Sequence, residues 1–68
     1  MEQLKTIKEL INQGDVAEAI RQLDEYLITA STDRDEAFYL LGNAYRKQGN
    51  WQLALNNYQY AIDLNPDS

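Results

Sequence analysis

Apolar residues recur along this chain at alternating three- and four-residue intervals, the spacing of one face of an α-helix. Leu4, Ile7, Leu10 and Ile11 form the first such stripe. Gly14 follows as a residue suited to a left-handed helix terminus, so a helix is expected over about 2–12. The second stripe is Val16, Ala19, Ile20, Leu23 and Leu27, with Tyr26 beside it, ending near Thr29. Asp15 with Glu18 three residues on has the form of a capping box with Asp as N-cap. After the break at Ala30-Ser31-Thr32, Asp33 and Glu36 repeat that signature and open a helix running to about Lys47. Gly49 ends it, Asn50 caps the next, and Trp51 to Leu64 form a fourth. The expected class is all-α, four helices paired as two hairpins.

The third and fourth helices carry the most specific pattern. Phe38, Leu41 and Tyr45 make one stripe, and Gly42 lies on the same side. A mid-helix glycine costs about 1 kcal/mol against alanine, which implies a packing reason: its missing Cβ lets another helix approach. On the fourth helix Ala54 and Ala61 flank Tyr58, two small residues around a large one. Pro66 cannot continue that helix and holds Asn65 extended. Phe38-x-x-Leu41-Gly42-x-x-Tyr45, followed by Ala54-x-x-x-Tyr58, Ala61 and Pro66, resembles the tetratricopeptide repeat, a helix–turn–helix unit of about 34 residues. The resemblance implies a right-handed α-solenoid fragment of stacked hairpins, with residues 35–68 forming one whole unit.

The first half echoes the second. Gln13-Gly14-Asp15-Val16-x-x-Ala19 matches Gln48-Gly49-Asn50-Trp51-x-x-Ala54 at an offset of 35, which sets Leu23 on Tyr58. In the first helix an offset of 34 pairs Leu4 with Phe38, Ile7 with Leu41 and Ile11 with Tyr45. Both offsets hold if the first internal turn is one residue shorter and the linker between repeats one longer. Lys8 then replaces the glycine and Tyr26 the second alanine, giving a degenerate repeat with looser packing near those two. The expected domain is 1–68, repeat one about 1–32 and repeat two about 33–68.

Composition narrows the function classes. There is no cysteine and no histidine, so disulfides, thiolate metal sites and imidazole chemistry are unavailable. Serines occur only at 31 and 68, and the isolated glycines make no phosphate-cradling loop. Asp33, Asp35 and Glu36 cluster at a helix start, where carboxylates complement the helix dipole; no metal or other cofactor is expected. A non-enzymatic role follows. The net charge of −5 opposes phosphate backbones and anionic bilayers, so neither nucleic acid nor membrane is an expected partner. No apolar run has the length of a membrane span or signal-peptide core, which makes a cytoplasmic location the default.

The resemblance implies a protein or peptide partner, held in a concave groove lined by the first helix of each repeat. Stepping around the third helix from the core stripe brings up Glu36, Tyr39, Asn43, Arg46 and Lys47; the matching face of the first helix carries Lys5, Glu9 and Asn12. Lys5, Asn12, Tyr39, Asn43, Arg46 and Lys47 are the candidate partner-binding residues: amides for a peptide backbone, a ring for packing, cations for a carboxylate. A subgroup of the family grips C-terminal carboxylates with Lys and Asn at set positions. Lys5 fits that pattern, but Glu9 and Leu40 stand where it wants Asn, so the clamp is not expected here. The alternative is structural self-assembly into a homo-oligomer. The last helix exposes a combination of Trp51, Leu55, Tyr58, Ile62 and Leu64, and two repeats are fewer than the roughly three needed for independent stability. Either a longer chain covers that face or another copy does.

Overall fold

The computed structural model describes residues 2–67, so the outer ends of the expected repeat ranges, at 1 and 68, lie outside the described residues. Four helices follow one another: α1 (Glu2–Gln13), α2 (Val16–Thr29), α3 (Arg34–Lys47) and α4 (Trp51–Leu64). No strand occurs among the described residues. α1 packs on α2 and α3, α3 packs on α2 and α4, and α4 has α3 as its one neighbour among these elements.

Both hairpins close with the same bonds. Asp15 N–H donates to the Leu10 carbonyl and Asn50 N–H to the Tyr45 carbonyl, each at 2.9 Å, around Gly14 (φ +93°) and Gly49 (φ +79°). This is the six-residue closure of a Schellman turn, whose left-handed residue favours glycine. The two closures lie at an offset of 35, as do the bounds of α2 and α4. Because α1 and α3 are each unbroken, that offset holds through them as well. The shorter first turn expected from the apolar pattern is therefore corrected: the turns are alike, and Ile7 rather than Lys8 is the backbone counterpart of Gly42.

This register explains the packing. A Cβ at Gly42 would fall within the Tyr58 ring, so glycine and tyrosine share one volume between α3 and α4. Between α1 and α2 the counterparts Ile7 and Leu23 share it, both fully buried. Close packing tolerates such volume-conserving exchanges far better than a change in total volume. Looser packing near Tyr26 is not found. Its ring is buried and its hydroxyl donates to the Thr32 carbonyl at 2.9 Å, tying α2 to the linker. Lys8 is exposed.

The core joins Leu4, Ile7 and Ile11 of α1, Ala19, Leu23 and Tyr26 of α2, and Ala37, Leu40, Leu41 and Ala44 of α3. Phe38 and Tyr45 are only partly buried, whereas Leu40 is 2 % exposed. α3 thus has two working faces. Gly42 meets α4, and the stripe Ala37, Leu40, Ala44 turns to the first hairpin.

Two expected capping boxes do not form. Asp15 makes no side-chain cap bond, because Glu18 is engaged instead by Arg21 (2.6 Å) and Gln22 (2.8 Å). These bonds hold the Glu18 carboxyl down at about 2. Asp33 also makes no cap bond and sits in the left-handed region at φ 56°, where Asp is tolerated better than most residues. Asn50 does cap α4, accepting from Leu53 N–H at 3.3 Å.

Candidate partner-binding surface

Asn43, half-buried on α3, is held by its neighbours. The Tyr58 hydroxyl donates to Asn43 Oδ1, and Arg46 Nε donates to the same hydroxyl oxygen at 3.2 Å. This chain occupies the amide oxygen of Asn43 and orients its NH₂ group, which is the half a peptide carbonyl would use. Tyr39, one turn away, is half exposed and tilts against the Tyr58 ring, centroids 5.8 Å apart. Lys47 and Arg46 are exposed in the last turn of α3, where cations complement the helix dipole.

The α1 side differs from the expectation. Lys5 and Asn12 are exposed, as groove residues should be. With the register at 35, however, the counterpart of Asn43 is Lys8, while Lys5 answers to Leu40. Lys5 and Lys8 line one cleft of about 410 Å³ with Leu4, Asp33, Asp35 and Glu36. The cations on α1 thus face a carboxylate-rich end of α3. Lys8 was legible as a helix-surface cation, but only the shared turn geometry puts it in line with Asn43.

A second cleft, about 520 Å³, opens between α3 and α4. Asp35, Glu36, Tyr39, Tyr58, Ala61, Ile62 and Asn65 line it. Asn65 Nδ2 donates to Asp35 Oδ2 at 2.9 Å, which lowers the Asp35 carboxyl from its ordinary value. Ile62 belonged to the expected exposed face; Asp35, Ala61 and Asn65 were not singled out.

The five residues expected to form one exposed face on α4 do not share a direction. Trp51, Leu55 and Ile62 lie together and are exposed by 63, 64 and 54 %. Tyr58 is drawn into the α3 contact by Gly42 and Asn43. Leu64 is exposed but, two residues beyond Ile62, points about 200° around the helix from it. It joins Leu53 and Tyr60 on the other side, where Tyr60 meets Phe38, centroids 5.3 Å apart.

Among the described residues, no group of three or more His, Cys, Asp or Glu side chains could hold a metal ion. No helix is long and apolar enough to cross a membrane.

Comparison with known proteins agrees with this architecture. The family model of the tetratricopeptide repeat matches residues 35–68. The photosystem I assembly protein Ycf3 of Synechococcus sp. (strain CC9902) is 40 % identical over 57 residues, covering 81 % of this chain and 33 % of that protein. The chain therefore spans about one third of the curated relative it matches. The solution NMR structure of Bacteroides fragilis protein BF1650 superposes with a TM-score of 0.93 at 68 % identity, over 100 % of this chain and 69 % of that one. With the motif, the paired hairpins and these likenesses in agreement, the chain belongs to the tetratricopeptide repeat family, a fold of protein–protein interaction.

Proposed function

We propose that the chain binds an extended peptide or a partner helix along the face shared by α1 and α3, with no chemistry on the ligand. The observation carrying this reading is the Arg46–Tyr58–Asn43 hydrogen-bond chain. A half-buried amide fixed by a phenol and a guanidinium loses little freedom on binding, and preorganisation of this kind reduces the cost of association. Tyr39 adds a ring with a polar tip, Lys8 and Asn12 extend the line onto α1, and Lys5 stands at its edge. The name of the cyanobacterial relative, an assembly protein, is consistent with a protein as partner. A peptide-display selection tests the proposal: hits should lose binding on Asn43→Ala and on Arg46→Ala. Hits indifferent to both would undercut it.

A second reading, self-assembly without a peptide ligand, is favoured by the exposure of Trp51, Leu55 and Ile62 along one side of α4. Large apolar side chains grouped this way mark interaction surfaces. Sedimentation over a range of concentrations separates the readings. A monomer throughout would sink the second.

A further inference from the structure

The cleft between α3 and α4 has a filled counterpart within the same molecule. Shifted by 35 residues, Tyr39, Tyr58, Ala61, Ile62 and Asn65 become Leu4, Leu23, Tyr26, Leu27 and Ala30. All five of those belong to the core or pack against it, beneath α3. α3 fills that space with the stripe Ala37, Leu40, Ala44, small–large–small. It also fastens its first residue to the end of α2: Arg34 Nη1 donates to the Leu27 carbonyl at 2.8 Å and to the Ala30 carbonyl at 3.0 Å. α2 has no basic residue of its own in its last turn, so this cation meets the negative end of the helix dipole. The last turn of α4 has none either.

Charge identifies what the open cleft would accept. The charged residues lining it are Asp35 and Glu36, both carboxylates, and they stand beside the C-terminal end of α4. α4 contains no Lys or Arg at all. A second copy packed α4-to-α4 would bring acid to acid with no cation between them. A copy stacked head to tail would present α1, which carries Glu2, Lys5 and Glu9, all exposed, where α3 carries Ala37, Leu40 and Ala44. Neither arrangement supplies both the apolar stripe and the cation.

We propose that the α3–α4 cleft docks a basic amphipathic helix of a partner protein. The helix would start with Arg or Lys over the α4 terminus and carry a small–large–small stripe spaced as 37, 40 and 44 are in α3. This deepens the reading of the chain as a protein-interaction module and places the partner beside the α1–α3 face rather than along it.

The test uses a synthetic 14-residue helical peptide, the length of α3. It has Arg first, Ala at its fourth and eleventh positions, Leu at its seventh and Lys flanking that stripe. A twin replaces every cation with Glu. Titration into the isotope-labelled chain should shift the amide signals of Tyr39, Ala61 and Ile62. The basic peptide should bind about tenfold or more tighter than its twin, with an advantage that shrinks as salt rises. Glu36→Lys, at an exposed position, should erase the preference while leaving the fold intact. Ile62→Arg, also exposed, should abolish binding of the basic peptide. Equal binding of the twins, or no binding of either, overturns the proposal. Shifts confined to Lys8, Asn12, Asn43 and Arg46 overturn it too, and leave the α1–α3 groove standing. A dimer in which Trp51 and Ile62 become protected overturns it in favour of a second copy.

Discussion

Val16, Ile20 and Leu27 on α2 and Trp51, Leu55 and Ile62 on α4 occupy equivalent places in two copies of one hairpin, yet their surroundings are opposite. The first three are partly buried and pack against the core; the second three are exposed by more than half. The helices are of the same length and share the same turn. What differs is the neighbour: α3 lies over α2, and no element of the described chain lies over α4. An outer face of this fold is thus neither core nor surface by its own residues. Its status is conferred by whatever stacks on it, as expected when each repeat contacts only its neighbours.

Substitution on the two faces is the sharpest way to break this comparison. Leu23→Ala, in the covered set, should cost about 2–5 kcal/mol through lost burial and a cavity. Leu55→Ala, on the open side, should stay within about 0.5 kcal/mol. Urea midpoints followed by circular dichroism measure both, and similar losses would mean that α4 is covered in solution. Gly42→Leu comes next, at about 1–3 kcal/mol, because the added side chain must displace the Tyr58 ring. Asn43→Ala should cost about 0.5–1.5 kcal/mol. As a residue of the groove alone it would be neutral, but the structure makes it the acceptor of the Tyr58 hydroxyl. Tyr58→Phe should cost a comparable amount, and the double variant less than the sum of the two.

The smallest effect concerns α2 and pH. Glu18 has its carboxyl lowered from 4.5 to about 2 by Arg21 and Gln22. A carboxyl depressed on folding contributes stability that is complete above its unfolded value and fades as pH falls through the folded one. The melting temperature should therefore decline between about pH 4.5 and pH 2. Glu18→Gln should remove a small part of that slope, since the pair is fully exposed and screened by solvent.

The sequence was most readable where one side chain has one job. The bounds of α4, the glycine turns and the Asn50 cap all follow from local chemistry, and the structure contains each of them. Leu40 was harder to place because α3 is packed on two sides. A single apolar stripe through Phe38, Leu41 and Tyr45 accounts for the side facing α4, while Ala37, Leu40 and Ala44 form another that appears only once the first hairpin is in place. Asp15 and Asp33 misled for a different reason. A capping box is a competition, and Arg21 with Gln22 wins Glu18 away from the helix start. The register of α1 was hidden by a compensating exchange, since Ile7 with Leu23 replaces Gly42 with Tyr58. Matching residue by residue then favoured a false one-residue shift. The candidate surface was half legible: the polar residues of α3 stood out by type, but the bond tying Asn43 to Tyr58 spans two helices and has no local signature.

That α4 touches a single neighbour sets an order of opening for the molecule. Terminal units of a linear stack are held by one interface, while inner ones are held by two. Amide protons of α4 should accordingly exchange with deuterium before those of α2 and α3, through local unfolding that leaves the first hairpin closed. A ligand seated in the α3–α4 cleft would then announce itself twice: as bound mass, and as slowed exchange along the helix that otherwise opens first.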